Sequence, residues 1–323
     1  MDFFFLLTFF LFYDKIGPGD FMKKHLFLII YTILLISASV FTLLSTFVIA
    51  KEKNDVPKLG EESTSGLEEE QGSFFTDKTG SKCYADNNIE IKIVQKREYN
   101  TEIYIADIKI NNFKLLKTAF AKNLFGLNIK EKPSSIAKRN NAILAINGDY
   151  YGFREKGYVL RNGVLYDPYR TYRDKKSDIL VINNDGSFSI RKEYAQTSKS
   201  IYEEGAWQVF CFGPGLISGG KIVVDEYSEV AAHKASNPRT AIGYIDEGHY
   251  VMVVSDGRTE ESAGLSLLEL ATVLDNYGVK DAYNLDGGGS SVMIFNGKII
   301  NKPTSNGDVI SERSSSDIVY IGY

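Results

Sequence analysis

The chain has 323 residues, 44% of them hydrophobic and 24% charged, ordinary proportions for a protein that buries a core. Its 37 Lys and Arg are offset by 41 Asp and Glu, a formal net charge of −4. No basic field exists to hold a phosphate backbone, so nucleic acid is not an expected partner.

Two apolar runs open the chain, residues 3–13 and 26–50. The first is too short to span hydrocarbon as a helix, and the second reaches the ~20 residues a bilayer requires. Lys23, Lys24 and His25 precede the longer run and follow Met22, the order found in signal peptides and signal anchors. Residues 1–21 therefore read as an upstream extension and 22–50 as a transmembrane signal anchor. Phe47-Val48-Ile49-Ala50 makes a poor small-residue cleavage site, which favours an uncleaved anchor. With the positive flank inside, everything after Ala50 is expected outside the cytoplasm, on a single-pass cell-membrane protein.

Residues 51–81 have the composition of an acidic disordered stalk, with few apolar residues to bury. Four lysines face eight acids over 51–80, a local charge equal to that of the whole chain. Residues 82–323 then form one domain. Segments 89–94 and 102–110 alternate apolar and polar residues as half-buried strands do. Turns at 183–186, 246–248 and 296–297 join apolar segments into hairpins through Asp-Gly, Glu-Gly and Asn-Gly steps. Helical spacing is clear at 266–277, where Ser266 and Glu269 form a capping box and Gly278 ends the helix. Residues 133–140 suggest a shorter helix. Together these predict an α+β domain of mixed or antiparallel sheets with many hairpins and few helices. Cys83 and Cys211 are open to a single disulfide or to two unpaired, buried thiols. His233 and His249 stand outside any zinc-ligand spacing and read as surface or satisfied histidines.

Polar clusters sit at the ends of apolar strands. Residues 142–146 run into Asn147-Gly148-Asp149, 251–255 into Asp256-Gly257-Arg258, and 282–285 into Asp286-Gly287-Gly288-Gly289-Ser290-Ser291. An isolated Asp-Gly is ordinarily a turn, but three carboxylates delivered this way suggest a shared cleft. The triple-glycine loop offers amide N–H groups that can ring an anion. Arg239 and Arg258 offer guanidinium forks for a phosphate, or else structural ion pairs with the same aspartates. The aspartates are also open to a calcium ion, since clustered carboxylates form oxygen-ligand sites.

Taken in order, 147–151, Phe212-Gly213-Pro214-Gly215-Leu216, 238–243, 256–258, 264–271 and 284–291 resemble the phosphodiester glycosidase family. The resemblance covers 141–323. It departs from the family pattern at Phe212, where a Gly-Gly-Pro turn is expected. It implies hydrolysis of the C1–O bond of glycosyl-1-phosphodiesters in cell-surface glycopolymers, with a phosphate ester as leaving group. The catalytic carboxylate is expected to be Asp286 first, then Asp256 and Asp149. Asn147, Arg239, Thr240, Arg258, Asn284, Gly287, Gly288, Gly289 and Ser290 are the expected substrate-binding positions. Glu269 also belongs to the family pattern, yet a capping role suits it better, because it lies opposite the apolar helix face. The resemblance implies no required cofactor and a phosphorylated glycan as partner. A noncatalytic wall-polymer binding or assembly protein, and a metal-dependent phosphodiesterase cutting P–O, are the alternatives.

Overall fold

A computed structural model describes residues 20–228 and 236–323. The chain divides into two units, residues 1–50 and 51–323. In the first, Phe21–Phe47 forms a helix of 27 residues with a mean hydropathy of 2.5, long and apolar enough to cross a membrane. The expected extension over 1–21 lies outside the described residues as far as residue 19.

The second unit is built from antiparallel strands. Its nine-stranded sheet centres on Thr240–Asp246, His249–Ser255, Thr101–Ile110 and Ile89–Glu98, with Asp281–Asn284 on the far side of Thr240–Asp246. A six-stranded sheet includes Asp178–Ile182, Gln208–Phe210 and Val159–Arg161. A five-stranded sheet places Leu144–Asn147 between Met293–Phe295 and Asp317–Ile321. Every named strand pair is antiparallel, so the mixed sheet that the sequence left open does not occur among the described residues.

Alternation along the strands decides the layers. Ile91, Ile108, Tyr250 and Met252 on one face of the large sheet join Phe210 of the second sheet and Ile146, Val319 and Ile321 of the third in a common core. Ile103, Ile105, Val251 and Val253 point the other way and are covered by the helix Leu267–Asp275 through Leu267, Leu270, Ala271 and Leu274. That helix begins as expected: Ser266 Oγ accepts from the Glu269 amide at 3.1 Å, and Glu269 Oε2 accepts from the Ser266 amide at 2.8 Å. The helix Pro133–Arg139 and the three hairpins also form where the sequence indicates.

Residues 51–81 do not form a disordered stalk. Lys51–Glu52 pairs with Gly126–Leu127, Lys58–Leu59 with strand Val164–Tyr166, and Ser73–Thr76 with Lys82–Ala85. The few apolar residues between the charges decide this: Val56, Leu59 and Leu67 each pack against a buried cluster of the domain. Backbone pairing to existing sheet edges supplies the rest, and composition alone gives no sign of it.

Cys83 and Cys211 are both unpaired and buried. Cys211 Sγ accepts the Tyr158 amide at 3.1 Å, each residue adjoining a strand of the six-stranded sheet, while Cys83 lies in the nine-stranded one. His249 is engaged by Asp107, Nε2 to Oδ1 at 2.8 Å. His233 lies outside the described residues.

Candidate active site

Asn147 ends the strand Leu144–Asn147 and joins two sheets. Its Nδ2 donates to the Asp286 carbonyl at 2.6 Å, and its Oδ1 accepts from Thr240 Oγ1 at 2.8 Å and from the Val292 amide at 3.2 Å. The Asp286 amide donates in turn to the Gly148 carbonyl at 3.2 Å. A buried, fully used amide of this kind fixes register where packing alone would tolerate slip. Asn284 is buried behind it, with Nδ2 donating to the Gly213 carbonyl at 2.8 Å.

Beside this junction lies a cavity of about 430 Å³. Asp286, Ser290 and Arg313 line it, and Tyr150 and Phe153 contribute stacked rings with centroids 4.6 Å apart at 24°. Lys130 and the run Ser314–Ser316 complete most of the lining. Tyr150 holds a left-handed backbone at φ 68°, a conformation that costs an aromatic residue on the order of 1 kcal/mol or more and recurs at ligand sites. Ser316 Oγ is buried without a hydrogen-bond partner among the described residues.

The side chain of Asp286 is only 13% exposed, and Arg313 Nη2 stands 3.5 Å from its Oδ2. Arg313 is held by Ser290 Oγ, which accepts from Nε at 3.0 Å and from Nη2 at 2.7 Å. Burial raises the Asp286 carboxyl above its ordinary value, against the lowering pull of the Ser290 hydroxyl and Arg313. One carboxylate, one guanidinium and one ammonium therefore meet in a cavity with an aromatic wall.

The three aspartates do not share this cleft; among them only Asp286 lines the cavity. Asp149 is fully buried in an ion network, with Arg161 Nη2 2.9 Å from its Oδ1 and Arg154 Nη2 3.2 Å from its Oδ2. The amides of Tyr151 and Cys211 donate to it as well, at 3.1 and 2.8 Å. Burial would raise it, but Arg161 and Arg154 outweigh that and hold it below the usual carboxylate range. Arg161 also pairs with Asp317 at 3.0 Å, and burial pushes that second carboxylate upward. Asp256 is buried elsewhere, its Oδ1 accepting from the Lys302 amide at 2.8 Å and Asn301 Nδ2 at 3.1 Å. Desolvation raises Asp256 despite those bonds.

The glycine loop is not an amide ring around an anion. Gly288 N–H donates to the Pro238 carbonyl at 2.8 Å, Ser290 to Gly287 at 3.2 Å and Ser291 to Gly288 at 3.1 Å. Its glycines answer a packing demand: a Cβ on Gly289 would lie 2.3 Å from Ser305 Oγ, and Gly288 sits at φ 60° with Arg258 beside it. Arg258 is tied to Asn237 Oδ1, at 3.1 and 3.2 Å, and to the Ser305 carbonyl at 2.6 Å. Arg239 is buried with Nε donating to the Leu265 carbonyl at 2.8 Å. Neither arginine lines the cavity, whereas Arg313 does. Among the described residues no three His, Cys, Asp or Glu side chains gather as a metal site. The aspartates offered for calcium stand in separate hydrogen-bond systems.

The model of the phosphodiester glycosidase family matches residues 140–322. The chain belongs to that family. Among curated relatives of this chain, the SPbeta prophage-derived uncharacterized protein YomE of Bacillus subtilis (strain 168) is 30% identical over 203 residues, 62% of this chain and 31% of that protein. The mouse N-acetylglucosamine-1-phosphodiester alpha-N-acetylglucosaminidase is 28% identical over 173 residues, 54% of this chain and 28% of the mouse protein. The chain thus spans about three-tenths of the length of these relatives. The zebrafish catalytic domain of that name, auto-inhibited by its pro-peptide, has a similar fold: TM-score 0.56 at 17% identity, covering 86% of this chain and 94% of that one. The likeness of fold extends beyond the family match and takes in much of the first half of the domain.

Arg313, Lys130, Phe153 and Ser314–Ser316 were not singled out by sequence. The strand-end carboxylates follow apolar runs, whereas these residues precede one or lie in loops. Asp317–Ile321 is antiparallel to Leu144–Asn147, with Ile318 opposite Asn147, so its leading residues reach the same edge as the other strand's trailing ones. The signal was present as Glu312-Arg313-Ser314-Ser315-Ser316, a polar run before an apolar strand.

Proposed function

We propose that the domain hydrolyses the C1–O bond of glycosyl-1-phosphodiesters in cell-surface glycopolymers. The observation that carries this is Asp286 in one cavity with Arg313 and the Tyr150–Phe153 stack. A sugar ring has an apolar face suited to Tyr150, a phosphodiester carries the charge that Arg313 and Lys130 complement, and Asp286 serves the anomeric carbon. Arg313 is the group placed to hold the departing phosphate ester, since a guanidinium fork matches phosphate oxygens. An oxygen from water ends on C1, the C1–O bond breaks, and its electron pair leaves with the phosphate ester.

Ordinary glycosidases employ a second carboxyl group to protonate the leaving oxygen. A phosphate ester departs as a weakly basic anion, so stabilising its charge does most of what that acid does. The reaction thus needs one carboxylate, acting as base toward water or as nucleophile, and Asp286 fits that role. Arg313 and Lys130 supply the positive charge that a divalent cation brings elsewhere, and turnover is expected to survive EDTA. Loss of turnover restored by calcium would assign a cation a part.

The anchor helix, with Lys23 and Lys24 at its start, supports a single-pass membrane protein whose domain acts outside the cytoplasm. The name of the mouse relative makes N-acetylglucosamine 1-phosphodiesters the first substrates to test. The deciding experiment is hydrolysis in ¹⁸O-water. Label in the released sugar supports C–O cleavage; label in the phosphate shows a phosphodiesterase; tight binding without turnover shows a noncatalytic polymer binder.

A further inference from the structure

Outside the cavity, one stretch of surface carries exposed aromatic rings together with three exposed lysines against two exposed acids. Residues 154–176 hold seven Lys and Arg against three Asp and Glu, while the whole chain carries −4. Arg154, Arg161 and Arg173 are committed to Asp149, Asp317 and Glu193. Lys156, Lys175 and Lys176 are exposed and form no ion pair among the described residues. Exposed tyrosines stand among them: Tyr169 is 78% exposed, Tyr194 49% and Tyr172 39%. The exposed acids are Glu155 and Asp174, and Asp174 is occupied as an acceptor for the Lys176 and Ser177 amides at 2.7 and 2.8 Å.

This surface is tied to the segment that follows the cavity residue Phe153. Phe153 lines the cavity and Arg154 follows it. Arg170 reaches back from the tyrosine segment, with Nε donating to the Glu155 carbonyl at 2.9 Å and Nη2 to that of Arg154. The Gly157 amide donates to the Thr171 carbonyl at 2.9 Å. Arg173 Nε meets Glu193 Oε2 at 2.7 Å, which brings Tyr194 alongside. The exposed rings are thus carried on backbone clamped to the loop that bears Tyr150 and Phe153. Solvent-facing tyrosines serve no core, and each combines an apolar ring with a polar tip.

We propose that this face, marked by Tyr169, Tyr172, Lys175 and Lys176, is an extended subsite that holds further repeats of an anionic, phosphate-bearing glycan whose scissile linkage lies in the cavity. The inference rests on the proposed activity and deepens it: the substrate is a polymer carrying several phosphodiesters, not a single sugar phosphate. Rings spaced along the surface take sugar faces, and the lysines take the charges between them. Each contact is weak alone, but contacts on one connected chain reinforce one another once the cavity is filled. The lysine component is screened by salt, while the tyrosine component is not.

The test compares poly(N-acetylglucosamine 1-phosphate) with the methyl phosphodiester of N-acetylglucosamine 1-phosphate, using the full chain in detergent. Tyr169→Ala/Tyr172→Ala and Lys175→Gln/Lys176→Gln are the variants, with affinity electrophoresis in the polymer as a second readout. The expected result is a KM for polymer raised about tenfold, corresponding to ~1.4 kcal/mol, with kcat and all constants for the methyl diester unchanged. The lysine variant also loses most of the salt dependence of polymer binding. Equal constants for both substrates in wild type and variants overturn the proposal. So does a parallel loss on the two substrates, which marks the surface as a support for the cavity. Should wild type cleave neither substrate, the activity reading fails by itself. Retarded migration of wild type that both variants lose then still supports the subsite, and equal migration overturns it.

Discussion

Asn147 Nδ2 donates to the backbone carbonyl of Asp286 at 2.6 Å, so a residue ending one sheet holds the main chain of the candidate catalytic residue on another. The same side chain accepts from Thr240 and Val292, which leaves no part of it spare. Asn147→Ala strands a buried hydroxyl, an amide and a carbonyl at once. An unsatisfied buried group costs ~1–3 kcal/mol, and the expected loss is at the upper end of that range or beyond it. Urea denaturation measures it, and kcat is expected to fall at temperatures where the variant remains folded.

Asp286→Asn is expected to abolish turnover, since the amide neither attacks C1 nor accepts a proton from water. A loss of ~10³-fold or more corresponds to about 4 kcal/mol in the barrier. Stability is expected to hold or rise, because burial disfavours the charged carboxylate and the amide removes that cost. Unchanged turnover in a folded variant would move the catalytic assignment to another group.

The pH profile follows from the same burial. The folded carboxyl titrates above a free aspartate, and in the proposed reaction its ionised form is the active one. As pH falls, kcat/KM is expected to drop before an ordinary aspartate would protonate. For stability the sign is opposite: the contribution of a raised carboxyl to folding is fully present below its unfolded value and is lost as pH rises through its folded value. Asp286→Asn should remove that dependence, and denaturation at several pH values reads it.

Arg313 and Arg239 are expected to separate function from folding. The Arg313 side chain is 47% exposed and bonds to Ser290, Asp286 and, at 3.5 Å, the Gly287 carbonyl, so Arg313→Lys is expected to fold normally while kcat/KM drops about 10²-fold as the fork is lost. Arg239→Lys is expected to lower the melting temperature with kcat per folded molecule preserved, because its Nε bond to Leu265 is buried. The reverse result would restore Arg239 to the phosphate site.

Arg161 lies between two buried carboxylates, and Arg161→Met leaves Asp317 without that partner and Asp149 with Arg154 and the Tyr151 and Cys211 amides. Breaking a buried pair in this way costs ~3–5 kcal/mol. Both carboxyls then favour their neutral forms, so stability of the variant is expected to recover as pH falls from 7 toward 5. Calorimetry across that range checks the slope, and a flat response would show that the carboxylates had found other partners.

The sequence alone determined the local structure. Period-two alternation gave strands over 89–94 and 102–110, which the structure extends to 89–98 and 101–110 and pairs as a hairpin; turn residues gave three hairpins, and Ser266 with Glu269 gave the helix cap, because each depends on neighbours a few residues apart. Its ordered motifs also carried the family. Which polar groups meet is a different kind of fact. Asp149, Asp256 and Asp286 look alike as strand-end aspartates, yet two arginines neutralise the first, Asn301 and the Lys302 amide occupy the second, and only the third lines the cavity. Residues 51–81 read as a solvated acidic spacer until their partner strands are in place, since a sheet edge distant in sequence leaves no trace in composition. Arg313 enters from the leading end of an antiparallel strand, 27 residues after Asp286 in the chain and 3.5 Å from it in space. Antiparallel pairing brings opposite chain ends to one edge, and only the tertiary structure decides which ends those are.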